Sequence, residues 1–237
     1  MYLMTLDLET TGLDVNNDEV IELGYAIYHI KNPAPIIMRS FLVYPKQQIP
    51  ELITSITGIT QAMIEKAGES PADVYLQFTK DIADYDIEWF VGQNILEFDY
   101  PMLKNNMNRM GLECPKMKMI DTKTDIKWSV KTKSNSLVYV CADHGFVNPF
   151  PHRALTDAMM CGILLYKYDI DKILEISSTP MVEIRADVGY DNRDSAKQLG
   201  YNWDGDRKIW VKKVREFYLK EEQSKASFQV LLLKRIV

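Results

Sequence analysis

The sequence predicts an α/β protein: a mixed five-stranded sheet flanked by helices, followed by a small α+β domain. Three observations carry this expectation. The first β-rich runs follow one another directly, joined by short polar or proline-containing links with no helical stretch between them. After residue 50, strand-like runs alternate with segments whose apolar residues recur at helical spacing. Beyond residue 180 the charge balance reverses: residues 1–180 hold 16 Lys and Arg against 24 Asp and Glu, whereas residues 181–237 hold 12 against 9.

In order, residues 2–8 form a short apolar run broken by Thr5 and Asp7, and Thr10-Thr11-Gly12 supplies turn chemistry. Residues 20–30 and 36–43 are the next strands, and Pro33 and Pro35 keep helix out of the link between them. Three strands so joined make an antiparallel meander. Residues 45–58 read as irregular, and 60–67 as a helix capped by Thr60. Ser70-Pro71 opens a helix to about Tyr85, with proline at its tolerated first position. Trp89-Phe90-Val91 is a strand, 98–110 a helix, 117–120 a strand and 136–145 a helix. From Arg153 to about Tyr168, Ala154, Leu155, Ala158, Met159, Gly162, Ile163 and Tyr166 fall at helical spacing, which places Asp157 inside an apolar helix. Asp121 and Asp169 read as caps.

Residues 176–180 read as a linker, giving domains at 1–175 and 181–237. The second contains strands at 181–187, 209–213 and 228–237, with helices at 193–199 and 214–225. The 237 residues, 46% apolar and 26% charged, suit one domain of about 170–180 residues with an appendix as well as a single large domain, and exclude a disordered or fibrous chain. The net charge of −5 argues against nucleic-acid binding by bulk charge. Cys114, Cys141 and Cys161 match no metal-ligand spacing and are expected as free thiols in a reducing compartment. With no signal-like start and no apolar run near the ~18–20 residues of a membrane span, the expected location is the cytoplasm and no membrane partner is expected.

Four carboxylates stand in apolar settings. Asp7 and Glu9 are two apart in a strand, so both point to one face. Like charges so placed repel unless a cation neutralises them, and an all-oxygen donor set suits Mg²⁺ or Mn²⁺. An exposed strand end accounts for the pair equally well. Asp99 falls at a strand-to-helix junction, where an N-cap is the simpler role. Asp157 is harder to assign to structure alone, and His152 sits five residues before it, at the helix start.

Together, Asp7-x-Glu9, then Asp99, then His152-x-x-x-x-Asp157 resembles the DEDDh, or DnaQ-like, exonuclease family. Ile49-Pro50 followed by Thr57-Gly58-Ile59-Thr60, the Ile120-Asp121-Thr122 strand and His152-Arg153-Ala154-Leu155-Thr156-Asp157-Ala158 extend the match over residues 2 to about 170. Gln93-Asn94 stands where the family commonly has His-Asn, and a histidine five before Asp157 differs from the sister subgroup's tyrosine at four before. The resemblance implies a ribonuclease H-like fold and removal of nucleoside 5′-monophosphates from the 3′ ends of DNA, expected single-stranded, RNA being the alternative substrate and a catalytically silent nucleic-acid-binding protein the alternative class. It further implies two Mg²⁺ or Mn²⁺ ions. Asp7 would bridge them, Glu9 and Asp157 would complete the first, Asp99 would lie near the second, and His152 would be the general base. Thr10, Thr11, Leu13, Ile59 and Asn94 are the implied substrate contacts, with Leu13 and Ile59 as wedges against the terminal base. Lys123, Lys127, Lys131 and Lys133 are candidates to follow the strand backbone.

The tail's Asp191–Gly200, Tyr201-Asn202-Trp203-Asp204 and Arg207-Lys208-Ile209-Trp210 resemble a small module appended to exonucleases, helicases and other phage or plasmid proteins. Trp203 and Trp210 are expected in its core. Lys208, Lys212, Lys213 and Arg215 are candidates to hold single-stranded nucleic acid. The module is also the candidate contact for a polymerase or other replication or repair protein.

Overall fold

The computed structural model describes residues 1–189 and 192–236. The chain divides into two compact units, Met1–Ile173 and Leu174–Val237.

In the first unit the meander of β1 (Tyr2–Thr10), β2 (Val20–His29) and β3 (Ile37–Leu42) is antiparallel throughout. On the other side of β1, β4 (Ile87–Gly92) and β5 (Lys118–Asp121) add in parallel, so the sheet runs β3-β2-β1-β4-β5. This is the mixed five-stranded sheet the sequence predicts. One face is filled by Met4, Leu6 and Leu8 of β1, packed with Tyr25, Phe78, Phe90 and Met102 in a continuous buried cluster. The helices are α1 (Glu51–Thr57), α2 (Gln61–Ala67), α3 (Pro71–Asp84), α4 (Asp99–Arg109), α5 (Thr122–Asp125), α6 (Leu137–Asp143), α7 (Ala154–Leu165) and α8 (Ile170–Ser177), the last running from the end of the first unit into the second. All three cysteines are free and buried.

Across the other face of β1 and β2 lies α7. Gly24 permits this approach: a Cβ there would stand 2.1 Å from the Leu155 backbone nitrogen. Asp7 is the cross-strand partner of Gly24, and paired residues project to the same side, so the Asp7 carboxylate faces the start of α7. Asp157 lies in the first turn of that helix, which runs from Ala154 to Leu165.

Several elements differ from expectation. Residues 51–57 form α1 inside the stretch read as irregular; four of its seven residues are β-branched, which hides a short helix from propensity. Gly58 ends it at φ +72°. The α8 helix takes up residues 176 and 177 of the expected linker, and its start is capped by the Asp169 carboxylate accepting from Lys172 N–H. Thr60 and Asp121 cap α2 and α5 as expected.

The second unit is an antiparallel sheet of order β7-β8-β6-β9, built from β6 (Met181–Asp187), β7 (Asn202–Asp204), β8 (Ile209–Arg215) and β9 (Gln229–Ile236), with α9 (Arg193–Gln198) and α10 (Leu219–Lys225). Val182, Ile184, Ala186, Ala196, Tyr201, Val214 and Val230 form its core. Residues 214 and 215, expected to start a helix, extend β8 instead. Val214 is buried in that core and Arg215 pairs with Met181, so α10 starts only at Leu219 after a 3₁₀ turn. Asp191 of the tail motif and Val237 of the expected last strand lie outside the described residues. Among the described residues no helix is long and apolar enough to cross a membrane.

Candidate active site

Strand period places Asp7 and Glu9 on one face, and the packing of α7 on that face brings in Asp157. Ligand oxygens of these three carboxylates lie within 4.8 Å of one another. Asp99, the first residue of α4, is buried beside the cluster, and its carboxylate accepts a hydrogen bond from the Leu8 backbone N–H, between the two acids of β1. It is not one of the three mutually close carboxylates, but its charge acts on both Asp7 and Glu9. The site opens beyond the carboxyl ends of β4 and β5, next to the point where the sheet changes direction about β1.

Burial dominates the electrostatics. It holds the Asp7 carboxyl well above the carboxylate range, helped by Asp99, Asp157, Glu9 and Glu22. Glu9 is pushed up to about 8 by burial and then by Asp157, Glu22 and Asp99, with Arg153 pulling the other way. Burial and Asp121 lift Asp99 to about 7. Burial lifts Asp157 to about 6 against His152 and hydrogen bonds from Arg153 N–H and Asn148. Four acids that resist ionising together, all offering oxygen, fit a hard divalent cation such as Mg²⁺ or Mn²⁺.

His152 is exposed, in the turn just before α7, with the left-handed φ of +61°. A non-glycine residue in that region is strained and persists because its flanks are held. On one side Asn148 donates to Asp157 Oδ1 at 2.7 Å and Phe150 N–H to Asn148 Oδ1 at 3.0 Å. On the other, Arg153 N–H donates to Asp157 Oδ2 at 3.2 Å, while the Arg153 guanidinium holds Glu22 through Nε at 3.1 Å and Nη2 at 2.8 Å. Glu22 is 1% exposed and also accepts from Ala154 N–H at 3.0 Å and Ser40 Oγ at 2.8 Å. The sequence reading missed this anchor. Its signal was a lone carboxylate inside the apolar run of residues 20–28, which burial forces to find partners. Asp121 is likewise more than a cap: it accepts from Asn94 N–H at 2.9 Å and Leu96 N–H at 3.3 Å, shaping the approach to Asp99.

The expected substrate contacts are placed unequally. Thr10 and Thr11 are buried at the end of β1, with Thr10 Oγ1 donating to Gly12 O at 2.5 Å and Thr11 Oγ1 accepting from Glu19 N–H at 2.9 Å. Leu13, 82% exposed, stands at the tip of the loop they brace. Asn94 turns the chain at φ +67° and its amide oxygen accepts from Lys123 Nζ at 2.9 Å. Ile59 does not fit the expectation. It has no exposed surface and packs with Ile21 and Ile64, and a side chain with no free face cannot wedge against a base.

A mixed sheet of this order, with an acidic cluster converging on its central strand, is a ribonuclease H-like fold. Residues 4–165 match the profile of the family described as "Exonuclease". The chain is 31% identical over 168 residues to DNA polymerase III subunit epsilon of Aquifex aeolicus, covering 69% of this chain and 78% of that one. It is 33% identical over 183 residues to the PolC-type DNA polymerase III of Thermotoga maritima, covering 76% of this chain and 13% of the polymerase. The chain belongs to the DnaQ-like, DEDDh exonuclease family. Among solved structures it is similar in fold to E. coli exonuclease I in complex with a dA16 oligonucleotide, with TM-score 0.62, 14% identity and coverage of 78% of this chain and 48% of that one. It is also similar to the nuclease domain of 3′hExo bound to rAMP, with TM-score 0.59, 17% identity and coverage of 70% and 90%. The chain spans 10% and 13% of the PolC-type relatives it matches. Residues 182–233 match a domain family of unknown function.

Proposed function

We propose that the protein hydrolyses the terminal phosphodiester at the 3′ end of a DNA strand, releasing a nucleoside 5′-monophosphate. The convergence of Asp7, Glu9 and Asp157 within 4.8 Å, with Asp99 alongside, carries this reading. Two Mg²⁺ or Mn²⁺ ions held by Asp7, Glu9 and Asp157, with Asp99 near the second, would supply a more acidic attacking water and charge stabilisation on the departing 3′ oxygen. His152, exposed on the strained turn beside Asp157, accepts the proton of the attacking water as its oxygen bonds to phosphorus. The Glu22–Arg153 pair and Asn148 keep that imidazole in place. The backbone at Thr10 and Thr11 meets the terminal 3′ hydroxyl, and exposed Leu13 covers the terminal base. Since relatives are named DNA polymerase III PolC-type and DNA polymerase III subunit epsilon, a proofreading setting with a DNA polymerase is part of the proposal.

The test is digestion of 5′-labelled DNA and RNA strands with Mg²⁺, with and without chelator. The expected result is a ladder shortening from the 3′ end of DNA, abolished by chelator and accompanied by 5′-monophosphates. Preferential shortening of RNA would replace DNA by RNA as substrate. An intact strand under all metals would leave the site without the proposed activity.

A further inference from the structure

Most cations of the second unit whose contacts are described are tied into the unit itself. Lys212 Nζ donates to Leu199 O at 2.9 Å and pairs with Glu222 at 2.7 Å. Arg207 holds both Glu183 and Asp204, and Arg235 holds Glu216. Arg215 is buried and donates to Thr179 O at 3.1 Å, and Lys213 is engaged as well. Three of the four cations that the sequence nominates for gripping nucleic acid are therefore engaged within the fold. Lys197 and Lys208 differ: both are exposed, and among the described residues neither takes part in an ion pair.

Those two lysines, with Arg193 and Asp194, line a cavity of about 510 Å³ whose other walls include Trp203 and Trp210. The indoles are direct cross-strand partners on the β7–β8 hairpin, with ring centroids 5.6 Å apart. Trp210 packs against the core, but Trp203 is 52% exposed and lies outside it, contrary to the sequence expectation. Lys208 sits in the same hairpin at φ +54°. A cavity of this size suits a small ligand, and here a half-exposed indole stands beside a cationic wall on which Asp194 is the single acid among the described residues. A flat base and its phosphates present the complementary surfaces.

We propose that this cavity holds one nucleotide of a single-stranded nucleic acid, the base against Trp203 and its flanking phosphates against Lys197 and Lys208. The inference rests on the reading that a nucleic acid strand is the substrate, and it assigns the accessory domain a contact with that strand.

The test uses the full chain with Ca²⁺ in place of Mg²⁺ and follows fluorescein-labelled (dT)30 by anisotropy. Trp203→Ala weakens binding about 10-fold, whereas Trp203→Phe stays within about threefold, because a ring still stacks. On an abasic strand of equal length, wild type and Trp203→Ala bind alike. Lys197→Gln with Lys208→Asn, the asparagine chosen because it tolerates the left-handed backbone, flattens the slope of log affinity against log salt by about 1.4 for two lost phosphate contacts. In parallel, Mg²⁺-dependent cleavage of a trinucleotide stays at the wild-type level in all variants. If the wild type cleaves the trinucleotide while Trp203→Ala and the lysine pair leave (dT)30 affinity and salt slope unchanged, the nucleotide pocket is overturned and the exonuclease reading stands. A wild type that binds (dT)30 through Trp203 but cleaves nothing overturns the activity and leaves the pocket. Should Trp203→Ala fail to fold, the lysine pair, on exposed side chains, decides alone.

Discussion

Acidic side chains are treated in opposite ways in the two units. In the accessory domain, buried Glu183 is gripped by Arg207 at 2.7 and 3.0 Å, and that guanidinium holds its carboxyl below the usual range. Asp81 in the first unit follows the same rule, paired with Arg39 and held by Tyr25 and Gln77. At the end of β1 and around it, Asp7, Glu9, Asp99 and Asp157 have no such arginine partner among the described residues and are all driven upward. Arg153, whose charge reaches Glu9, is committed to Glu22. Glu22, Asp81 and Glu183 are each neutralised by an arginine, and Asp121 is held by the backbone N–H groups of Asn94, Leu96 and Lys123; at the cluster several carboxylates face one another instead, an arrangement that fits a bound cation.

The comparison breaks most severely at Asp157. Asp157→Asn is expected to abolish metal-dependent nucleotide release while leaving metal-free thermal stability equal or higher, because one of several repelling carboxylates is gone. Wild-type release by that variant would remove Asp157 from the site. Next comes His152→Ala, which should slow hydrolysis by roughly 10²–10⁴ with little change in metal affinity by calorimetry. A rate within a few fold of wild type from pH 6 to 8 would assign the proton to another group.

The metal dependence of stability sharpens the contrast. The cluster's folded pKa values lie above the ordinary range near 4, reaching about 8 for Glu9. The folded state therefore binds more protons than the unfolded chain between those limits, and the metal-free protein loses stability as pH rises from about 4 towards 8. Mg²⁺ must displace those protons, so its stabilising shift in Tm should be larger at pH 8.5 than at pH 6. A shift independent of pH would mean that the metal binds elsewhere. The smallest effect concerns the accessory domain: Glu183→Ala leaves Arg207 without one of its two carboxylates and should cost about 1–3 kcal/mol in denaturant unfolding, with trinucleotide cleavage unaffected. Stabilisation by that change would show that arginine pairing is not what keeps Glu183 tolerable.

What the sequence determined by itself is what lies within one element or one turn. Asp7 and Glu9 share a face because a strand has period two. Thr60, Asp121 and Asp169 cap because their side chains reach a backbone N–H two or three residues on. The spacing from His152 to Asp157 identified the family's third motif, and the order of the acids identified the family. Tertiary structure decided everything that depends on distant partners. Glu22 and Arg153 are 131 positions apart and meet only because Gly24 lets α7 settle onto β2. Ile59 is apolar like Leu13, yet one is sealed against Ile21 and Ile64 and the other stands in solvent. Of the tail's lysines, composition cannot say which faces a carboxylate; Lys212 finds Glu222 and Lys208 lines a cavity with Trp203. Side-chain period is a local property of the backbone, whereas burial and charge pairing are properties of the packed whole.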